Sequence, residues 1–197
     1  MDFDAFTEGV EPGGLRSRTE IGILICYMLD NIGKPFSRDD LIGIFQEYGL
    51  ANYFETVNAL AELVKNDNVI CSSDTPAMLT LTQNGQLISA QLNETLSLTT
   101  RQRATDAIAE RIKRKKVEQE NPVTITREKD GGYQVNLRIT DGLRDLMSLT
   151  LFVPDIKEAN AVKQHFHQNP QRFYSIILAA AVGEKSMLPK TLKELLS

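Results

Sequence analysis

Residues 18 to 85 constrain the fold most, because three apolar-periodic segments are followed there by two short strands around a turn. Ile21, Leu24, Ile25, Met28, Leu29 and Ile32 fall at helical spacing, which predicts a helix over about residues 17–31 with Gly33 as its left-handed stop. Pro35-Phe36 reads as an extended link, since the residue before a proline is pushed out of the α region. Ser37 caps a second helix, with Asp39 and Asp40 in the first turn, where carboxylates suit the helix dipole. Leu41, Ile42, Phe45 and Tyr48 form its inner face, and Gly49 ends it. Asn52 caps a third helix to about residue 67, with Phe54, Val57, Leu60, Ala61 and Val64 assigned inward. Residues 69–72 and 78–81 follow as strands around Ser73-Asp74-Thr75-Pro76, and Thr82 caps a fourth helix that buries Leu87, Ile88 and Leu92. This is the order of a winged helix-turn-helix, in which the third helix enters a DNA major groove and the hairpin is the wing.

The charge of that stretch argues against easy DNA binding. Residues 1–100 hold 5 Lys and Arg against 14 Asp and Glu, whereas residues 101–197 hold 17 against 12. Non-specific DNA affinity comes mainly from neutralised phosphates, and the third helix with its flanks offers Lys65 against Glu55, Glu62 and Asp67. With the apolar set inward, Glu55, Thr56, Asn58, Ala59, Glu62 and Lys65 face outward. Thr56 and Asn58 are then candidates for base edges, and Asn52, Tyr53, Lys65, Arg18 and Arg38 for the backbone. A fifth helix from Thr99 or Thr100 ends in the run Arg111-Ile112-Lys113-Arg114-Lys115-Lys116. Arg111, Lys113, Arg114, Lys115 and Lys116 are the cations that such a module would borrow. A solvated helix end favoured by the dipole is the competing reading.

Beyond Pro122 the period changes. Val123, Ile125 and Arg127 alternate with polar residues, as do Tyr133, Val135, Leu137 and Ile139, joined by the hairpin signal Asp130-Gly131-Gly132. Residues 146–153 read as a third strand, apolar enough to be central. Asp155 caps a helix to about residue 168, with Ile156, Ala159, Val162 and Phe166 inward. Asn169-Pro170 opens another, lined by Phe173, Ile177, Ala180 and Ala181 and stopped by Gly183, and residues 188–196 add a last half-buried turn or two. The expected fold is α+β: a flexible acidic arm (1–15), a winged helix-turn-helix (16–98), a basic connecting helix (99–121), and a C-terminal domain of three antiparallel strands and two helices (122–197).

Catalysis finds no support. His165 and His167 lie at i, i+2 on one helix and point to different faces, and Cys26 and Cys71 each sit inside an apolar pattern. No phosphate-loop, dinucleotide, nucleophile-elbow or metalloprotease motif occurs. No cofactor or metal is expected. No run approaches the roughly 18 apolar residues of a membrane span, and the N-terminus has no basic and apolar leader, so a cytoplasmic location is expected.

Residues 21–32, Gly49-Leu50-Ala51-Asn52-Tyr53-Phe54, residues 60–63 and Leu79-Thr80-Leu81-Thr82 with Gly85 resemble a bacterial family of presumed winged-helix regulators, catalogued as a domain of unknown function. Residues 133–139, residues 146–154, Asn169-Pro170 and Phe173-Tyr174 are similar too. The resemblance covers most of residues 16–183 and implies a winged helix joined to a small α+β domain, with a transcriptional role by analogy. The sequence thus leads to a dimeric DNA-binding regulator, whose C-terminal sheet or fifth helix pairs the subunits or senses a small effector or protein partner. The alternative is a winged-helix protein-interaction module without DNA contact.

Overall fold

Helix α1 (Arg18–Ile32) starts after the extended Ser17 and stops at Gly33, whose φ of 64° is left-handed. It is the first element of a computed structural model that describes residues 14–15 and 17–183. The expected acidic arm, apart from Gly14 and Leu15, and the expected turns at 188–196 lie outside the described residues, as does Arg16. The described residues form a mixed α and β protein in two compact units, divided between Ile112 and Lys113.

The first unit continues with β1 (Phe36–Ser37), α2 (Arg38–Glu47), α3 (Tyr53–Lys65), β2 (Val69–Cys71), β3 (Met78–Leu81) and α4 (Gln83–Leu92). A 3-10 turn (Asn93–Thr95) leads to α5 (Leu98–Glu120), within which the division falls. The strands form an antiparallel sheet in the order β1-β3-β2, with Phe36 opposite Leu79 and Val69 opposite Leu81. Three side chains cap helices as the sequence predicts. Ser37 accepts from the Asp40 N–H, Asn52 from that of Phe54, and Thr82 from that of Gly85. Each such cap is worth about 0.5–2 kcal/mol against alanine.

The core of this unit joins Leu24, Ile25 and Met28 of α1 to Leu41, Ile44 and Phe45 of α2, Leu60 of α3 and Leu79 of β3. Burial of each large apolar side chain contributes about 1.5–3 kcal/mol. Ala104, Ala107 and Ile108 of α5 belong to the same cluster. Polar contacts fasten α5 further: Arg103 Nη2 donates to the Tyr48 carbonyl at 2.7 Å, and the Tyr48 hydroxyl to Glu110 at 2.6 Å. Helix α4 corrects one expectation, because Leu87 and Leu92 are exposed and Gly85 and Ser89 are buried. The reason is close approach: the Ser89 hydroxyl donates to Asp30 of α1, and a Cβ on Gly85 would stand 2.3 Å from the Asn68 carbonyl oxygen.

The second unit holds β4 (Val123–Arg127), β5 (Tyr133–Thr140), β6 (Asp145–Val153), α6 (Ile156–Gln168) and α7 (Pro170–Val182). Its antiparallel order is β4-β5-β6, so the most apolar strand is at an edge and β5 is central. The strands follow one another as a meander, and chain order rather than apolar content decides the middle. Val135, Leu137 and Ile139 of β5 bury against Ala159 and Phe166 of α6. Val162 and Phe173 are half-buried as partners of that core. Ile156, Ile177, Ala180 and Ala181, expected inward, are exposed, and Pro170 and Ala179 are the buried residues of α7. His167 Nε2 lies 2.8 Å from the carbonyl oxygen of Asn121, tying the end of α6 to the start of the sheet.

Candidate functional site

Helix α3 is rotated from the predicted orientation. Thr56, at 0% exposure, Ala59, Leu60 and Leu63 face the core, while Phe54 is 70% exposed and Ala61 is also outside. Val57 and Val64 are half-buried partners of the core. The spacing 56, 59, 60, 63 is as helical as 54, 57, 61, 64, and the smaller residues win because they permit close approach: Leu63 lies against Gly22 of α1. A sequence signal for this existed in Gly22, whose missing side chain lets Leu63 lie against α1. The bulk of Phe54 obscured it.

This rotation reassigns the polar candidates. Asn52 is buried, and its side chain is the cap of α3. Thr56 donates its hydroxyl to the Asn52 carbonyl at 2.8 Å inside the unit, so Thr56 is not presented for base edges, nor the Asn52 side chain for phosphate. Asn58 and Lys65 are exposed, and Tyr53 is exposed with its ring edge-on to Phe54, centroids 5.4 Å apart. The outward face of α3 therefore combines an aromatic pair at its start with Asn58, Ala61, Glu62 and Lys65 along its length.

Arg18, Arg38, Arg111 and Lys116 each have a carboxylate partner, whereas Lys65 is exposed on the open face of α3. Arg18 donates from Nε to Glu55 at 3.0 Å and from Nη1 to Glu62 at 3.2 Å, clamping the start of α1 across α3. The Glu55 hydrogen bond, then that of Glu62, raises the guanidinium above its ordinary pKa. Arg38 is half-buried and 3.6 Å from Asp39. Arg111, in the first unit, gives both Nε and Nη2 to Asp40 Oδ1, at 3.1 and 2.6 Å. Lys113, Arg114, Lys115 and Lys116 fall in the second unit. Lys113 is exposed, Arg114 and Lys115 are half-buried, and Lys116 is 3.7 Å from Glu120. The basic run is thus not one patch of the first unit.

A cleft of about 190 Å³ between α1, α3 and α4 is lined by Gly22, Ile23, Ala59, Leu63 and Ile88, with Arg18 and Glu62 among its polar residues. It falls below the roughly 300 Å³ at which small-molecule pockets begin. No cluster of three or more potential metal ligands occurs among the described residues. No described helix is long and apolar enough to cross a membrane.

No match emerges from comparison with curated proteins or with solved structures. A family model described as a domain of unknown function (DUF4364) matches residues 21–180, which run from α1 to α7 across both units, and the chain belongs to that family.

Proposed function

We propose that this chain is a transcriptional regulator of the winged-helix class whose first unit works by contacting protein. The class is supported by the element order α1-β1-α2-α3-β2-β3, the β1-β3-β2 sheet, and an α3 with one open face. The observation that carries protein contact is what this face offers: Tyr53 and Phe54 exposed beside Glu55 and Glu62, with Arg18 already bound by both carboxylates. Aromatic anchors dominate protein interfaces, whereas phosphates require cations. The partner this surface suits has an apolar pocket for Phe54 and a basic rim.

The test begins with labelled random duplex DNA at low salt. The expected affinity is weaker than about 10 µM at ~50 mM salt, below the range of ordinary non-specific DNA binders. A photo-reactive residue replacing Tyr53 should then capture one discrete protein in the producing cells, and Phe54→Ala should abolish the capture.

Direct DNA contact is the second reading, favoured by the run Arg111 to Lys116 and by the exposed Asn58 and Lys65. It predicts tight, salt-sensitive binding. Lys113→Ala with Lys116→Ala should then reduce the salt slope by about two. Such a result would overturn the protein-contact reading.

A further inference from the structure

We propose that β6 is the seam of a homodimer, pairing antiparallel with β6 of a second copy to form one six-stranded sheet. The inference concerns the second unit alone and stands whether α3 meets protein or DNA.

Strand β6 is nine residues long and lies at the sheet edge, with β5 as its strand neighbour. One register irregularity, at Leu146 near its start, is a device of the kind that protects a free edge, and the stretch from Met147 to Val153 has regular pairing and no charge. The strand contains no proline and no lysine, and its single charge is Asp145 at one end. The opposite edge is managed differently. Strand β4 has five residues, follows Pro122, and ends in Arg127. The two edges of one small sheet are therefore unequal, and the longer and more apolar one pairs with no further strand among the described residues.

The occupant follows from the sequence of β6 itself, which is a palindrome in chemical type about Leu149. An isologous two-fold through Leu149 sets Met147 opposite Leu151, Ser148 opposite Thr150, and Leu146 opposite Phe152. Between Met147 and Leu151, where the strand is regular, apolar meets apolar and hydroxyl meets hydroxyl. Asp145 comes opposite Val153, so no like charges face each other. Met147, Leu149 and Leu151 share the inner side of the sheet and are half-buried. Leu146 and Phe152, 40% and 66% exposed, share the outer side with Ser148 and Thr150. An unrelated strand has no reason to match this symmetry, whereas a second copy matches it by construction. Over residues 147–151, clear of the irregularity at Leu146, the register does not depend on which backbone groups point outward, because residues paired about Leu149 share an orientation.

The experiment uses the full chain. Light scattering at micromolar concentration should give about 44 kDa, twice the 22.0 kDa of one chain. Leu149→Cys should cross-link to itself under mild oxidation, because directly opposed Cα atoms lie about 4.5–5.5 Å apart, within disulfide reach. Leu146→Cys should not, since its counterpart is then six residues distant along the seam. The exposed pair Ser148→Lys with Thr150→Lys opposes like charges twice and should yield a folded monomer by circular dichroism. Ser148→Lys with Thr150→Glu opposes unlike charges and should restore the dimer. A monomeric wild type would overturn the proposal. So would a dimer indifferent to the double lysine variant, or equal cross-linking at 146 and 149.

Discussion

Replacing Arg111 by alanine separates a structural cation from a nucleic-acid contact. Its guanidinium gives two hydrogen bonds to one oxygen of Asp40, and the two side chains are 28% and 6% exposed. Removing one member of a buried ion pair costs about 3–5 kcal/mol, because the other charge is stranded. Two features reduce that cost. Asp40 occupies the first turn of α2, where the helix dipole favours a carboxylate, and Arg111 retains some access to water. We therefore expect Arg111→Ala to destabilise the first unit by about 2–3 kcal/mol. At roughly 4–8 °C per kcal/mol for a unit of this size, the melting temperature should fall by about 10–20 °C. Lys113→Ala, at an exposed position on the same helix, should change stability by less than about 0.5 kcal/mol. The double variant Asp40→Asn with Arg111→Met should recover part of the loss, since no charge is left alone. Thermal unfolding followed by circular dichroism measures all three. An Arg111→Ala protein as stable as wild type would refute the structural assignment and return Arg111 to the pool of cations available to phosphate.

Three further outcomes are expected. Gly85→Ala puts a methyl group 2.3 Å from the Asn68 carbonyl oxygen and 2.4 Å from Leu81 Cδ1. It should cost at least about 1–3 kcal/mol in urea unfolding, and a neutral result would mean that α4 does not seat there. Burial, then the nearby Asp30, pushes the Cys26 thiol up to about 12, so a thiol reagent at pH 8 should label the half-buried Cys71 and spare Cys26 in the folded chain. Backbone hydrogen bonds from Leu143, then Arg144, hold Asp141 below its ordinary pKa. Its contribution to the 141–144 turn is present above the unfolded value and disappears as pH falls through the lower folded value. The Leu143 and Arg144 amide resonances should accordingly titrate with a midpoint below the ordinary value of about 3.9, and a midpoint at or above it would refute the capping role.

Most helix ends and strand limits were readable because they rest on local chemistry; the fifth helix is the exception, starting at Leu98 with Ser97, not Thr99 or Thr100, accepting the Thr100 N–H. Ser37, Asn52, Thr82 and Asp155 each accept a backbone N–H at a helix start, and Gly33 and Gly183 each adopt positive φ at a stop. Orientation was less readable, because it depends on which neighbour approaches. Apolar bulk pointed to Phe54, Leu87 and Ile177 as core, but Thr56, Ser89 and Ala179 are buried instead. Small residues win wherever two helices come close, and nothing local announces the crossing. The role of the basic run was hidden for a related reason. Arg111 finds Asp40, a residue 71 positions earlier that is explained equally well by the dipole of its own helix. The place of β6 at an edge was likewise set by topology rather than by composition.

Because α3 is anchored through Thr56, Ala59, Leu60 and Leu63, with Val57 and Val64 half-buried beside them, its fully outward positions are relieved of packing duty. Tyr53, Phe54, Asn58, Ala61 and Lys65 form a surface whose chemistry can be rewritten while the scaffold stays folded. Selection on those five sites would, under the proposed function, change what the module recognises and leave its melting behaviour nearly untouched, so that specificity and foldability vary separately.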